Sequence, residues 1–314
     1  MFLGAACGLR AEDGVLVRSG QSIAFMGDSI TDGGWGQAGG YVRLVVDAFT
    51  KKGIKITPIP AGVSGHKSTD MLARLDRDVI TKKPDWMTLS CGVNDVMHGV
   101  NGVELDKYKQ NIASIVNKAK AAGINVVILT STPIGEEDND NNRKLTAYNE
   151  FLRELAKDNH LQLADLSADF QSILKNYETT GSSRYLTVDG VHMNPNGNVV
   201  MAKGCLSAFG FSKADIENAE QSWLKQPNSA VFNIGNFDIR PNLALTLSQY
   251  RKLDQVAKSR NVDLSLFRTS IWLQATGEVI QGHANEPVLD PDKVNSEITT
   301  RLASKIEELV KEVK

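Results

Sequence analysis

Ile23-Ala24-Phe25-Met26-Gly27-Asp28-Ser29-Ile30-Thr31-Asp32-Gly33-Gly34 runs four apolar residues straight into a polar turn bracketed by glycines. The apolar run reads as a buried strand, and the turn after it carries one serine. Taken alone, Ser29 suits a helix cap, part of a phosphate cradle or a nucleophile. What the other strand ends carry decides among them.

The same rhythm recurs along the first two-thirds of the chain. Strands are expected at Ser22–Met26, Ile54–Ile59, Trp86–Cys91, Asn125–Thr130 and Leu161–Ala164. They are near-continuously apolar, the pattern of a parallel sheet covered on both faces. Between them, Glu104–Ala122 places Leu105, Tyr108, Ile112, Ile115 and Ala119 on one helical face and stops at Gly123. Asn142–Asp158 repeats this with Leu145, Tyr148, Leu152 and Leu155. Strand–helix alternation of this kind predicts a three-layer α/β/α sandwich with a five-stranded parallel sheet. Ligands in such folds sit beyond the carboxyl ends of the strands.

From about Phe211 the rhythm changes. One helix is expected over Leu243–Arg260, and another carries Val294, Ile298, Leu302, Ile306 and Leu309 on one stripe. The chain therefore divides into residues 1–20, a strand–helix sandwich domain over 21–210 and a mainly helical extension over 211–314. The opening MFLGAACGLRAED, apolar and rich in small residues, resembles the end of a secretory signal peptide, which gives a periplasmic or extracellular location as the expectation, with a short frayed terminus on a cytoplasmic protein as the alternative. A formal charge of −2 gives no electrostatic footprint for nucleic acid. No apolar run approaches the ~20 residues of a membrane span. Cys7, Cys91 and Cys205 are too few and too scattered for a disulfide framework or a zinc site, and read as small buried apolar residues.

Chemistry is then sought in the loops after each strand. Gly34-Trp35-Gly36-Gln37-Ala38-Gly39 formally matches a dinucleotide fingerprint, but it starts late, and no acid closes the second strand to hold a ribose. Gly62-Val63-Ser64-Gly65-His66-Lys67-Ser68 hints at a phosphate loop that His66 interrupts. The run Glu136-Glu137-Asp138-Asn139-Asp140 lacks the alternating ligands and central glycine of a calcium loop and reads as a solvated lead into a helix. No cofactor and no metal are expected.

Acyl transfer fits better. It needs an activated hydroxyl, a base, a group that orients the base and donors for an oxyanion. Ser29 at a sharp strand-to-helix turn offers a hydroxyl and its own N–H; Gly62 offers a second N–H and Asn94 a side-chain amide. His192 suits the base. Asp189, three residues before it, suits the acceptor that fixes the imidazole tautomer. Ser64 lies in no nucleophile elbow and reads as a turn hydroxyl. His66, beside Gly62, and Trp35 are candidate substrate contacts, Trp35 equally a buried anchor. His98, His160 and His283 lack a partnered carboxylate. Asn194-Pro195 reads as the cap and first residue of the helix after His192.

The blocks GDSIT, AGVSG, GVND and DGVHMN, in this order at strand ends, resemble those of the SGNH (GDSL-type) esterase/lipase family, over Ile23 to Phe209. That resemblance implies a flavodoxin-like sandwich, no metal and an exposed site. It implies Ser29 as nucleophile, Gly62 and Asn94 as oxyanion partners with the Ser29 N–H, and Asp189 and His192 as the rest of the triad. Two positions depart: Ile30 stands where leucine is usual, and Pro60 where asparagine is often found. No long apolar helix suggests an interfacial lid, so short-acyl esters are expected, acetyl groups on carbohydrates among them. The rival expectations are a carbohydrate-binding or interaction protein with a vestigial site, and an acyltransferase using the same triad.

Overall fold

The computed structural model describes residues 14–176, 184–225, 230–232, 243–262, 264–282 and 291–312. Cys7, His283 and the apolar start of the chain lie outside the described residues. Strand β1 (Ser22–Gly27) runs at once into α1 (Ser29–Gly36), followed by α2 (Tyr41–Lys51). Strand β2 (Thr57–Gly62) leads to α3 (Ser68–Asp78), and β3 (Trp86–Ser90) to α4 (Val93–Met97) and α5 (Leu105–Ala121). Strand β4 (Asn125–Leu129) precedes α6 (Asp140–Asp158). Strand β5 (Gln162–Ala164) precedes α7 (Leu166–Leu174), α8 (Pro195–Ala208) and α9 (Lys213–Trp223).

The five strands form one parallel sheet in the order β2-β1-β3-β4-β5. Right-handed crossovers put the β1-to-β2 connection on one face and the connections running the other way on the opposite face. Accordingly α3, α5 and α6 pack along one face, and α2, α7, α8 and α9 along the other. The direction of winding reverses between β1 and β3, where open α/β sheets hold their ligands. Ile23, Ala24, Phe25 and Met26 of β1 are buried, as is all of β3.

Strand β2 differs from expectation in position and environment. It runs Thr57–Gly62 rather than Ile54–Ile59, and it is a half-exposed edge, not a covered strand. Pro58 and Pro60 lie inside it. The Thr57 and Val63 N–H groups donate to Gln21 and Gly27 of the β1 side, so the alternate positions, 58 and 60, face away from the ladder. A proline there forfeits no sheet hydrogen bond. Pro60 is thus accommodated by edge geometry.

The segment behind Ser29 is also more regular than a loop. Gly33, Gly34 and Gly36 belong to α1, and a Cβ on Gly34 would stand 2.5 Å from the buried Tyr41 ring. Glycine here admits close packing of α1 against α2.

In the last part of the chain, Leu243–Leu245 is a short strand, β7, paired antiparallel with β6 (Ala230–Phe232). Helix α10 is therefore Leu247–Ser259, not Leu243–Arg260, because Thr246 and Gln249 form a capping box that starts it. Helices α11 (Leu264–Gly282) and α12 (Pro291–Glu312) follow. Tyr250, Leu253, Phe267, Ile271, Leu302 and Ile306 form a second apolar core. The first core reaches past residue 210, taking in Phe211, then Ile216, Ala219 and Trp223 of α9, and Leu247 of α10. Arg251 of α10 donates to Asn196 of α8 and Glu220 of α9, each at 3.0 Å, and so ties the second core to the first.

Trp223 is wholly buried and its indole N–H donates to Asp47 of α2 at 2.9 Å. Trp223→Ala is expected to cost about 3–5 kcal/mol in urea unfolding. A loss below about 1 kcal/mol would place α9 outside the sandwich core.

Candidate active site

Strand β1 ends in Gly27, and the Asp28 carboxylate caps α1 by accepting from the Ile30 N–H at 2.9 Å. Ser29 is thereby the first residue of a helix, its backbone N–H among those a helix start leaves without an intrahelical acceptor. Asp28 is 2% exposed, and burial pushes its carboxyl up to about 6, against the pull of the Ile30 amide and of His192.

The segment before α8 carries the candidate acid and base, Asp189 and His192. Asp189 Oδ1 accepts from the N–H groups of Val191 and His192 at 2.9 and 2.8 Å, while Oδ2 lies 2.6 Å from His192 Nδ1. His192 Nε2 lies 2.9 Å from Ser29 Oγ. A carboxylate only accepts, so Nδ1 carries the proton and Nε2 is left to accept from the serine hydroxyl. Burial opposes the Asp189 charge, but the His192 ring and the two amides outweigh it and hold the carboxyl below the usual carboxylate range. Asp189, His192 and Ser29 therefore form one continuous hydrogen-bonded chain.

Both residues of the acid–base pair are about half exposed, so burial does not orient them. Hydrogen bonds do. The Glu136 carboxylate accepts from the N–H groups of Tyr185, Leu186 and Thr187 at 2.6–2.8 Å and from the Thr187 hydroxyl at 2.7 Å. The Gly135 N–H donates to the Gly190 carbonyl at 2.7 Å. Asn194 caps α8 as expected, accepting from Asn196 and Gly197, and its amide donates to the Tyr185 carbonyl. Glu136 is thus not a solvated acid ahead of a helix. It bridges two loops, whereas Glu137, Asp138 and Asp140 are exposed and lead into α6, capped by Asn139, as expected.

Gly62 stands opposite Gly27 in the sheet, and a Cβ there would lie 2.3 Å from the Asp32 nitrogen. Only glycine lets the end of β2 approach α1 this closely. Asn94 on α4 is buried, with one of its two amide N–H donors on the His66 carbonyl at 3.1 Å.

Three further residues support the site, and of them only Asp95 lies in one of the four blocks. Arg74, 4% exposed, donates to the carbonyls of Gly27 and Ala61 at 2.8 Å each and to His66 Nδ1 at 3.0 Å. It ties the ends of β1 and β2 to the loop beyond. Its signal in the sequence is a charge on the apolar stripe Met71, Arg74, Leu75 of α3. Asp95, beside Asn94, is fully buried and accepts from the Ser68 N–H and hydroxyl, fixing the start of α3. Burial raises its carboxyl. Glu136 is the third.

A cavity of about 230 Å³ opens at Ser29 and His192, lined also by Asp32, Gly33, Gln37, Ser64 and Asn198. Gly62 and Asn94 do not line it, and neither do Trp35 and His66. Trp35 packs half-buried against the first core with the Arg43 guanidinium 4.1 Å above its ring. His66 is engaged by Arg74 and Asn94. Two larger cavities, of about 380 and 800 Å³, lie away from Ser29, and no histidine lines either.

A family model described as the GDSL-like lipase/acylhydrolase family matches residues 25–200. An acetylxylan esterase from Geobacillus stearothermophilus is 30% identical over 217 residues, covering 62% of this chain and 96% of that protein. The crystal structure of the acetylxylan esterase Axe2, also from Geobacillus stearothermophilus, superposes with a TM-score of 0.56 at 28% identity, over 63% of this chain and 97% of the other. The structure of the acetyl xylan esterase AlAXEase does so with a TM-score of 0.57 at 35% identity, over 60% and 98%.

The buried Asp28 carboxyl gives a pH signature in stability. The unfolded chain releases this proton in the ordinary carboxylate range, the native one near 6. Between the two the native state holds the extra proton, so this contribution to stability falls as pH rises through about 6. Asp28→Asn keeps an oxygen for the Ile30 N–H and removes the charge. It is expected to exceed wild type at pH 8 by up to about 3 kcal/mol in urea unfolding, the gap narrowing toward pH 5. A variant less stable than wild type at pH 8 contradicts this.

Proposed function

As the chain belongs to the GDSL-like lipase/acylhydrolase family, we propose that it hydrolyses short-acyl carboxylic esters, acetyl groups on carbohydrates among them, through an acyl-enzyme on Ser29. The observation that carries the mechanism is the chain of hydrogen bonds from Asp189 through His192 to Ser29, at 2.6 and 2.9 Å. His192 Nε2 takes the hydroxyl proton as Ser29 Oγ attacks the ester carbonyl, and Asp189 stabilises the imidazolium that results. The Asp28 charge works in the same direction, since it and an imidazolium attract.

The tetrahedral oxyanion is received by the N–H groups of Ser29 and Gly62 and the amide of Asn94. His192 then returns the proton to the departing alcohol oxygen. A water, deprotonated by His192, attacks the acyl-Ser29 ester and frees the acid. At about 230 Å³ the cavity at Ser29 is smaller than the about 300–1,000 Å³ of sites for drug-sized ligands, which supports a small group within it. The carbohydrate assignment is supported by the acetylxylan esterases that resemble this chain over most of their length. An intact hydrogen-bonded chain at Ser29 weighs against a vestigial site.

Hydrolysis of p-nitrophenyl esters of increasing chain length, with acetate release from acetylated xylo-oligosaccharides, tests this in wild type and Ser29→Ala. Wild type is expected to prefer acetyl esters, and Ser29→Ala to lose about 10⁴-fold or more in kcat. Undiminished activity in Ser29→Ala sinks the mechanism. A preference for long-chain esters sinks the short-acyl assignment.

A further inference from the structure

Asp32 sits one helical turn beyond Ser29 on the same face of α1. Its carboxylate is exposed, lines the cavity at Ser29 and accepts a hydrogen bond from the Ser64 hydroxyl at 3.0 Å. A negative charge in that place opposes the oxyanion that forms at Ser29 while it favours an imidazolium at His192, so the chemical step alone does not account for it. It also takes no part in the buried clamps of Arg74 and Glu136. An acceptor held beside the nucleophile against the electrostatics of the reaction calls for a ligand that donates to it.

The lining of the cavity indicates which half of an ester lies there. His192 lines it, whereas Gly62 and Asn94 do not. The departing oxygen must lie within reach of His192 Nε2 to receive its proton. The carbonyl oxygen turns toward the donors on the other side. The alcohol half is therefore the part that occupies the cavity.

The surroundings suit a hydroxylated alcohol. The Gly33 position is open, a Cβ there meeting only the Gln37 amide at 3.6 Å, so the floor is free of side chain. Gln37 and Ser64 add donors and acceptors along the rim. Asn198 forms a fixed wall, bound to the Tyr41 N–H and to the Met193 and Asn194 carbonyls.

We infer that Asp32, with Ser64 and Gln37, forms a subsite for the alcohol half of the substrate, accepting a hydrogen bond from a free hydroxyl vicinal to the esterified oxygen of a sugar. The inference rests on the esterase reading above and adds to it a residue that selects polyol esters over simple ones. Ser64 donates to one carboxylate oxygen and so holds Asp32 in place for the incoming hydroxyl.

The test is the ratio of kcat/KM on acetylated xylo-oligosaccharide to kcat/KM on p-nitrophenyl acetate, whose phenol has no vicinal hydroxyl. Losing a hydrogen bond to a charged acceptor lowers that ratio about tenfold to a hundredfold in Asp32→Ala. Asp32→Asn, which preserves shape, is expected to lower it in the same direction through KM on the sugar ester. A ratio that stays the same or rises in both variants overturns the subsite, as does a parallel fall on both esters. A wild type that cleaves p-nitrophenyl acetate but not the sugar ester also overturns it while the esterase reading stands. Only a wild type inactive on both removes the esterase reading itself.

Discussion

A parallel sheet sends every strand's carboxyl end to one edge, and the loops gathered there must meet without leaving polar backbone groups unpaired. Three charged side chains meet that constraint in this protein. Arg74 collects the carbonyls that close β1 and β2, Asp95 holds the start of α3, and Glu136 accepts three successive amides of the segment before His192. Each joins loops from different strands. The arrangement of Ser29, Gly62, Asn94, Asp189 and His192 depends on these connections more than on burial, because the acid and base themselves are open to solvent.

That division of labour explains what could be read from residues in order. The continuous apolar runs of β1, β3 and β4 announce a buried parallel sheet, and Asn194-Pro195 announces the helix after His192, because local side-chain chemistry sets both. The residues of the hydrogen-bonded chain stand out because each is a reactive type beside glycine, Ser29 where β1 ends and Asp189 and His192 in the segment between α7 and α8. Glu136 does not stand out: an acid before a helix is favourable for its own local reason, and its true partners lie some fifty positions away. Arg74 is similarly hidden, signalled only by its place on an apolar stripe.

Elsewhere local signals mislead. Two prolines mask β2, since proline argues against a strand unless the strand lies at an edge with those nitrogens turned outward. The glycines of α1 suggest a loop, yet they belong to a helix, and Gly34 lets the Tyr41 ring come close. The helix at Leu247 begins where its capping box places it, after a short strand that the apolar pattern alone merges into it. In each case a tertiary neighbour decides what propensity alone leaves open. The second core is joined to the first through Leu247 and through Arg251, which reaches Asn196 in the first turn of α8, the helix that follows His192.

Asp28 shows the cost of the site. A carboxylate buried next to Ser29 is unfavourable to the fold at neutral pH, and its attraction to His192 partly offsets that burial. The whole account turns on Ser29 being made nucleophilic by His192. The most direct measurement is intact-protein and peptide mass spectrometry after reaction with a fluorophosphonate. One adduct, on Ser29, that disappears in His192→Ala is the predicted result; no adduct, or one on Ser64 or another serine, would contradict it.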